Sequence, residues 1–155
     1  MGRGAAERPV LEALSLAAAA LARYESLAVG TLVLDVTKRH PALAAKSIAT
    51  IASLAEGRLA VGLGAGGDAA EHQAFGMEFG AAEERLTLME ETIGIFRAML
   101  EGDPAQRVTR PSQGAAPSLL EAASAPRPAH QVPLYVAGDH AVSYTHLTLP
   151  TKRIV

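Results

Sequence analysis

The chain has no cysteine. That excludes a disulfide framework, a thiolate nucleophile and a zinc–thiolate site, and it favours a cytoplasmic setting. Aromatic residues make up only 4% of the 155 positions, so a core has to be built from Ala, Leu and Val, and a hydrophobic fraction of 49% is enough for one soluble domain. No sign of charge dominates. Fourteen Lys and Arg residues stand against sixteen Asp and Glu, for a net charge of −2. The basic residues are scattered, which leaves no electrostatic footprint for nucleic acid or an anionic membrane. Long apolar runs are also missing. Residues 14–22, the longest, are interrupted by Ser15 and fall well short of the roughly 20 needed to cross a bilayer. They follow no basic signal-peptide start and precede no clear cleavage site, so they read as a buried helix.

The most informative stretch is residues 57–76, where a short apolar run (59–63) enters a glycine cluster and a polar segment follows. Glycine backbone can approach a ligand closely, and a helix N-terminus favours anions, so the segment reads as strand, binding loop, helix. Around it the pattern predicts a first helix from Pro9 to about Arg23. The nearly continuous apolar run 27–35 predicts a strand covered on both faces. A helix from Pro41 to about Ala55 follows, with Leu43, Ser47, Ile48, Ile51 and Leu54 near one face, ended by Glu56-Gly57. After the second strand come a short helix over 68–75 and a long one over 81–101, where Leu86, Met89, Ile93, Phe96 and Leu100 recur at three- and four-residue steps. Residues 102–128, rich in Pro, Ala, Ser and Gln, predict a long mobile connection pinned only at Leu119-Leu120. The run 131–138 restores the strand signal. The alternation of helix and strand is that of an α/β protein with right-handed crossovers.

Several residues admit more than one reading. Gly62, Gly64 and Gly67 satisfy dinucleotide-binding spacing after a strand, yet the range that should hold the next Rossmann strand belongs to the long helix. The same glycines also suit tight strand-to-helix packing alone. Arg39-His40 before Pro41 reads as an anion site at a helix N-terminus or, more simply, as a surface cap. His72, near Asp68 and Glu71, reads as a solvated histidine, and no metal-ligand constellation is present. Glu83, Glu84, Glu90 and Glu91 suit the dipole of the first half of their helix. Arg85 does not, and a ligand phosphate is one reason for a cation there.

Taken together, residues 27–34, Arg39-His40-Pro41, residues 57–67, Ala74-Phe75-Gly76, Glu84-Arg85-Leu86 and residues 133–138 resemble the luciferase-like monooxygenase family in order and spacing over most of residues 9–140. The resemblance implies a fragment of a (β/α)₈ barrel: about three parallel strands with crossover helices, not closed, with the cofactor at the C-terminal strand ends. It implies reduced FMN or the deazaflavin coenzyme F420 as cofactor, a small organic molecule as substrate and an oxidoreductase or monooxygenase as the parent enzyme. Leu32, Val33, Gly64, Ala65, Gly66 and Gly138 are then expected to shape the ring site and Arg85 to meet a phosphate. Ala65 stands where luciferases carry an arginine. The bond matching the family's non-proline cis peptide is Leu32-Val33.

A full barrel takes about 250 residues. The first two strands, with the usual catalytic acid or base, are therefore expected to precede Met1, the last strands to follow Ala141, and the fragment alone to be inactive. Many members dimerise, and the Ala-rich helix over 11–22 is a candidate surface. A non-catalytic partner subunit and a Rossmann nicotinamide enzyme remain the alternatives. Residues 142–151 resemble the translation of a transposon adapter used in DNA library preparation. The chain is accordingly divided into a partial barrel domain, 1–141, and an adapter-derived tail, 142–155, which receives no functional weight.

Overall fold

The computed structural model describes residues 10–103, 107–110, 114–122, 126–137 and 152–153. Helix α1 runs over Ala13–Arg23 and buries Leu14, Ala17 and Leu21 along one stripe. It starts later than Pro9, which lies outside the described residues. The Glu12 carboxylate supplies the cap, accepting from the N–H groups of Leu14 (2.9 Å) and Ser15 (2.8 Å) and from the Ser15 hydroxyl (2.7 Å). Arg39 pairs with the same carboxylate and so ties the helix start to the loop before the next helix.

Burial opposes the charge on Glu12. The Ser15 hydroxyl, the two N–H groups and the Arg39 guanidinium outweigh it and hold the carboxyl down from 4.5 to about 2. A depressed folded-state value stabilises the fold above the unfolded value, and that contribution disappears as pH falls through the folded one. Glu12→Ala is therefore expected to cost about 1 kcal/mol near neutral pH. In urea titrations the gap between wild type and variant should close as pH falls toward about 2.

Strand β1 (Val29–Asp35) lies parallel to β2 (Leu59–Gly64), and β2 lies parallel to β5 (Leu134–Val136). The two-residue strand β6 (Lys152–Arg153), from the segment read as a tail, pairs parallel to β5, giving the order β1-β2-β5-β6. Among the described residues the sheet does not close. Three parallel strands are as expected; β6 is additional.

The expectation that β1 is covered on both faces fails. Thr31 and Leu34 are buried, but Leu32 is 78% exposed and Val33 37%. The cause is a bulge: Thr31 pairs with Val61 and Leu34 with Leu63, so Leu32 and Val33 together oppose the single residue Gly62 and the alternation of faces is broken.

Helix α2 (Pro41–Ala55) begins at the His40 cap, whose Nδ1 accepts from the Ala42 N–H at 3.2 Å, and ends at Glu56 in the left-handed region. Arg39-His40 thus contains the surface cap. The expected face is borne out only in part: Ile48 and Ile51 are buried, but Leu43, Ser47 and Leu54 face outward and Ala44, Ala45, Ala49, Ala52 and Ala55 complete the inward stripe. Small side chains let the helix lie close to its neighbours, and a reading that weighted leucine over alanine misplaced part of the stripe.

Short α3 (Ala69–Ala74) follows the Asp68 cap. Long α4 (Ala82–Glu101) buries Met89, Ile93, Phe96 and Leu100 as its periodicity predicts, with Leu86 half-buried. The segment read as a mobile connection holds an antiparallel pair, β3 (Val108–Arg110) and β4 (Leu119–Ala122). Glu91 of α4 is buried and accepts from the N–H groups of Ala116 (2.5 Å) and Ala115 (3.4 Å), which anchors the excursion to the core. No helix among the described residues is long and apolar enough to cross a membrane.

Candidate functional site at the strand mouth

The C-terminal ends of β1 and β2 form one edge of the sheet, and the loop 65–68 leaves from it. Where the bulge carries the β1 backbone away from the regular ladder, the Thr31 side chain takes over. Its hydroxyl donates to the Gly62 carbonyl at 2.9 Å and accepts from the Gly62 N–H at 3.0 Å, both bonds buried. The Leu32–Val33 peptide is cis.

The Val33 side chain folds over β2. A Cβ on Gly64 would lie 2.7 Å from Val33 Cγ2, and one on Gly62 only 2.4 Å from the Thr31 carbonyl oxygen. Both glycines are therefore required by the close approach of β1, which is a packing reason independent of any ligand. Gly66 adopts φ +79°, and a Cβ there would lie 2.9 Å from Asp35 Oδ1. At Gly67 none of the described residues comes within 4 Å of such a Cβ.

Arg85 reaches back to this loop from the first turn of α4. Its Nε donates to the Ala65 carbonyl at 3.1 Å and its Nη1 to the Gly80 carbonyl at 2.5 Å, while the guanidinium lies 4.0 Å from the Phe79 ring centre. Two of its donor edges are thus engaged by main-chain oxygens.

Of the residues singled out in the sequence, Leu32, Val33, Gly64, Ala65 and Gly66 lie at the C-terminal ends of β1 and β2 and the start of the loop after them, and Arg85 holds that loop at the Ala65 carbonyl. Gly138 lies outside the described residues. The sequence reading missed His72, expected to be solvated and found fully buried. Its Nδ1 lies 2.8 Å from the Asp68 carbonyl and its Nε2 2.6 Å from Thr37 Oγ1. Thr37 in turn donates its N–H to Asp35 Oδ1 at 2.9 Å, with the hydroxyl 2.6 Å from the same oxygen. Spacing from Asp68 was the single local signal, since Thr37 lies 35 positions away. Among the described residues no group of three His, Asp or Glu side chains is placed to hold a metal ion.

The model of the luciferase-like monooxygenase family matches residues 2–145. The chain belongs to that family. Among curated relatives of this luciferase-like chain, the F420-dependent glucose-6-phosphate dehydrogenase of Beutenbergia cavernae is 36% identical over 128 residues, covering 82% of this chain and 36% of the relative. The enzyme of the same name from Microbacterium testaceum is 34% identical over 119 residues, with 76% and 34% covered. The chain therefore spans about a third of the length of these relatives.

A solved F420-dependent secondary alcohol dehydrogenase, in complex with an F420-acetone adduct, superposes with a TM-score of 0.72 at 27% identity, over 83% of this chain and 38% of that one. Long-chain alkane monooxygenase superposes at 0.68 with 20% identity, covering 90% and 36%, a likeness of fold. The Rossmann alternative falls with α4, which is helical across the range where a second nucleotide-fold strand would lie.

Proposed function

We propose that this chain builds one side of the cofactor site of an oxidoreductase that uses a deazaflavin, coenzyme F420, and acts on a small organic substrate. The observation that carries the reading is the bulge of β1: it turns two apolar side chains, Leu32 and Val33, outward beside the glycine loop at the C-terminal edge of a parallel sheet. Barrels of this class place their sites at that edge. The deazaflavin rather than flavin is favoured by the F420-dependent relatives described above.

The residues present fit a flat ring system. Leu32 and Val33 offer an apolar platform, Gly64 lies against the Val33 side chain, and among the described residues nothing comes within 4 Å of a Cβ built on Gly67. When bound, the cofactor supplies hydride exchange. Leu32 and Val33 would hold the ring, the loop 64–66 would line the site beside them, and together these residues would exclude water from it. Gly138, which lies outside the described residues, is kept as a cofactor-binding position on the family resemblance alone. Arg85 is assigned to the phosphate-bearing tail through Nη2, which makes no hydrogen bond among the described residues, while Nε and Nη1 fix the loop.

Fluorescence titration with F420 tests this. Since Leu32 is already exposed, Leu32→Asp leaves the fold intact and is expected to weaken binding about tenfold, the scale of one buried leucine contact. Leu54→Asp, on the outer face of α2, should change nothing. Equal affinities for all three proteins would overturn the reading. Because the chain spans a third of its relatives, a dissociation constant weaker than micromolar is expected.

A further inference from the structure

Three hydrogen bonds in a row connect β1, the turn after it and α3: Asp35 Oδ1 to Thr37 Oγ1 (2.6 Å), Thr37 Oγ1 to His72 Nε2 (2.6 Å) and His72 Nδ1 to the Asp68 carbonyl (2.8 Å). Their protons can be counted. A carbonyl oxygen only accepts, so His72 Nδ1 carries a proton. An ionised Asp35 and a neutral His72 protonated at Nδ1 then both present acceptors to Thr37, whose hydroxyl has a single proton. One of the two contacts would press lone pair against lone pair at 2.6 Å beside a histidine with no solvent exposure.

We infer that the Asp35–Thr37–His72 chain holds one proton beyond those of an ionised aspartate and a neutral histidine, and that His72 is through it a positioning residue for Gly66 at the strand mouth. The proton sits on Nε2, making His72 an imidazolium that donates to Thr37, which donates to Asp35. The alternative, a protonated Asp35, is disfavoured because Oδ1 also accepts the Thr37 N–H at 2.9 Å, a bond that is stronger to a carboxylate.

The surrounding charges are compatible with this placement. Asp35 Oδ2 lies 3.8 Å from Lys38 Nζ, but Lys38 is also paired with Glu71, so Asp35 is not neutralised by it alone. From α3 the Asp68 carboxylate accepts the Glu71 N–H. From α4, Arg85 meets the Phe79 ring, which also lies 4.8 Å from the His72 ring, so the electron-rich aromatic adjoins both cations. The consequence for the mouth follows from contact. The Asp35 carboxylate fills the space that a side chain at position 66 would need, and Arg85 holds the Ala65 carbonyl, so the loop is gripped on both sides of the Ala65–Gly66 bond.

The proton count stands on the hydrogen bonds alone; its value for cofactor binding rests on the proposed function. Nitrogen NMR of the histidine rings and carbon NMR of the aspartate carboxyls, on the 155-residue chain at neutral pH, read the count directly. Both His72 nitrogens protonated with Asp35 ionised is the expected result. An Nδ1-protonated neutral ring together with an ionised Asp35 would overturn it.

Thr37→Val removes the bridging hydroxyl. It is expected to abolish the extra proton and to speed amide exchange at Gly66 and Gly67 about tenfold, with Thr37→Ser restoring both. Unchanged exchange at Gly66 in Thr37→Val would overturn the positioning role. If that variant does not fold, the wild-type spectrum still decides the count, and amide exchange at Gly66 in His72→Gln decides the positioning role, which unchanged exchange there would overturn. Should the proton be present while Leu32→Asp leaves F420 affinity unchanged, the proposed function fails and the protonated Asp35–Thr37–His72 chain remains.

Discussion

Gly62→Ala is expected to destabilise the chain by about 3 kcal/mol or more, which is a large part of the stability of a domain this size. The added methyl would lie 2.4 Å from the Thr31 carbonyl oxygen, a backbone atom of the neighbouring strand that cannot swing away. Strand β1 would have to separate from β2, and the two hydrogen bonds through the Thr31 hydroxyl would lengthen with it.

Gly64→Ala provides the contrast. There the obstruction is Val33 Cγ2 at 2.7 Å, the end of a side chain, so a smaller penalty is expected and Val33→Ala should relieve it. The double mutant Gly62→Ala with Val33→Ala should gain little, because the carbonyl remains. Gly67→Ala, with none of the described residues within 4 Å of the new methyl, should be close to neutral. Urea unfolding of these variants separates the cases, and a neutral Gly62→Ala would contradict the account of why β2 carries glycines.

Thr31→Val is the second large effect. The substitution keeps the shape of the side chain and removes its hydroxyl, leaving the N–H and the carbonyl of Gly62 without their buried partner. Each orphaned buried group costs about 1–3 kcal/mol, so a loss of about 2–4 kcal/mol is expected if the strands relax a little. Thr31→Ser should recover most of it. Amide exchange at Gly62 identifies the site: in wild type it should be among the slowest amides of the sheet, and in Thr31→Val it should become one of the fastest. Uniform acceleration across the sheet would instead indicate a general loss of packing.

Much of this arrangement is legible in the order of residues. Pro41 at a helix start and Glu56-Gly57 at its end set the limits of α2, and the spacing of Met89, Ile93, Phe96 and Leu100 sets the inward face of α4, as the structure has them. These signals are local, acting through caps and periodicity. The bulge of β1 is not local. An unbroken run of apolar residues from Leu32 to Leu34 looks the same whether a strand is regular or bulged, and the difference lies in how Thr31 and Val33 meet Gly62 and Gly64 some thirty positions on.

Residues 57–67 illustrate the same division. Their glycines announce close approach, but the sequence could not say whether the approaching body is a ligand or a strand. At Gly62 and Gly64 it is the strand. The buried His72 was hidden for a related reason, since its burial depends on Thr37 and Phe79, which belong to other segments. Helix α2 was misread in part of its inward face, alanines packing inward where leucines were expected.

The central claim is that the Leu32–Val33 bulge is the platform for a deazaflavin ring. Nuclear Overhauser contacts between the ring protons of F420 and the methyl groups of the chain test it most directly, because they report proximity even when binding is weak. The account predicts contacts to the methyls of Leu32 and Val33 and to the amides of Gly66 and Gly67, with none to the exposed Leu43 and Leu54 of α2. Saturable binding with contacts confined to another surface would contradict it, as would the absence of any contact at millimolar cofactor.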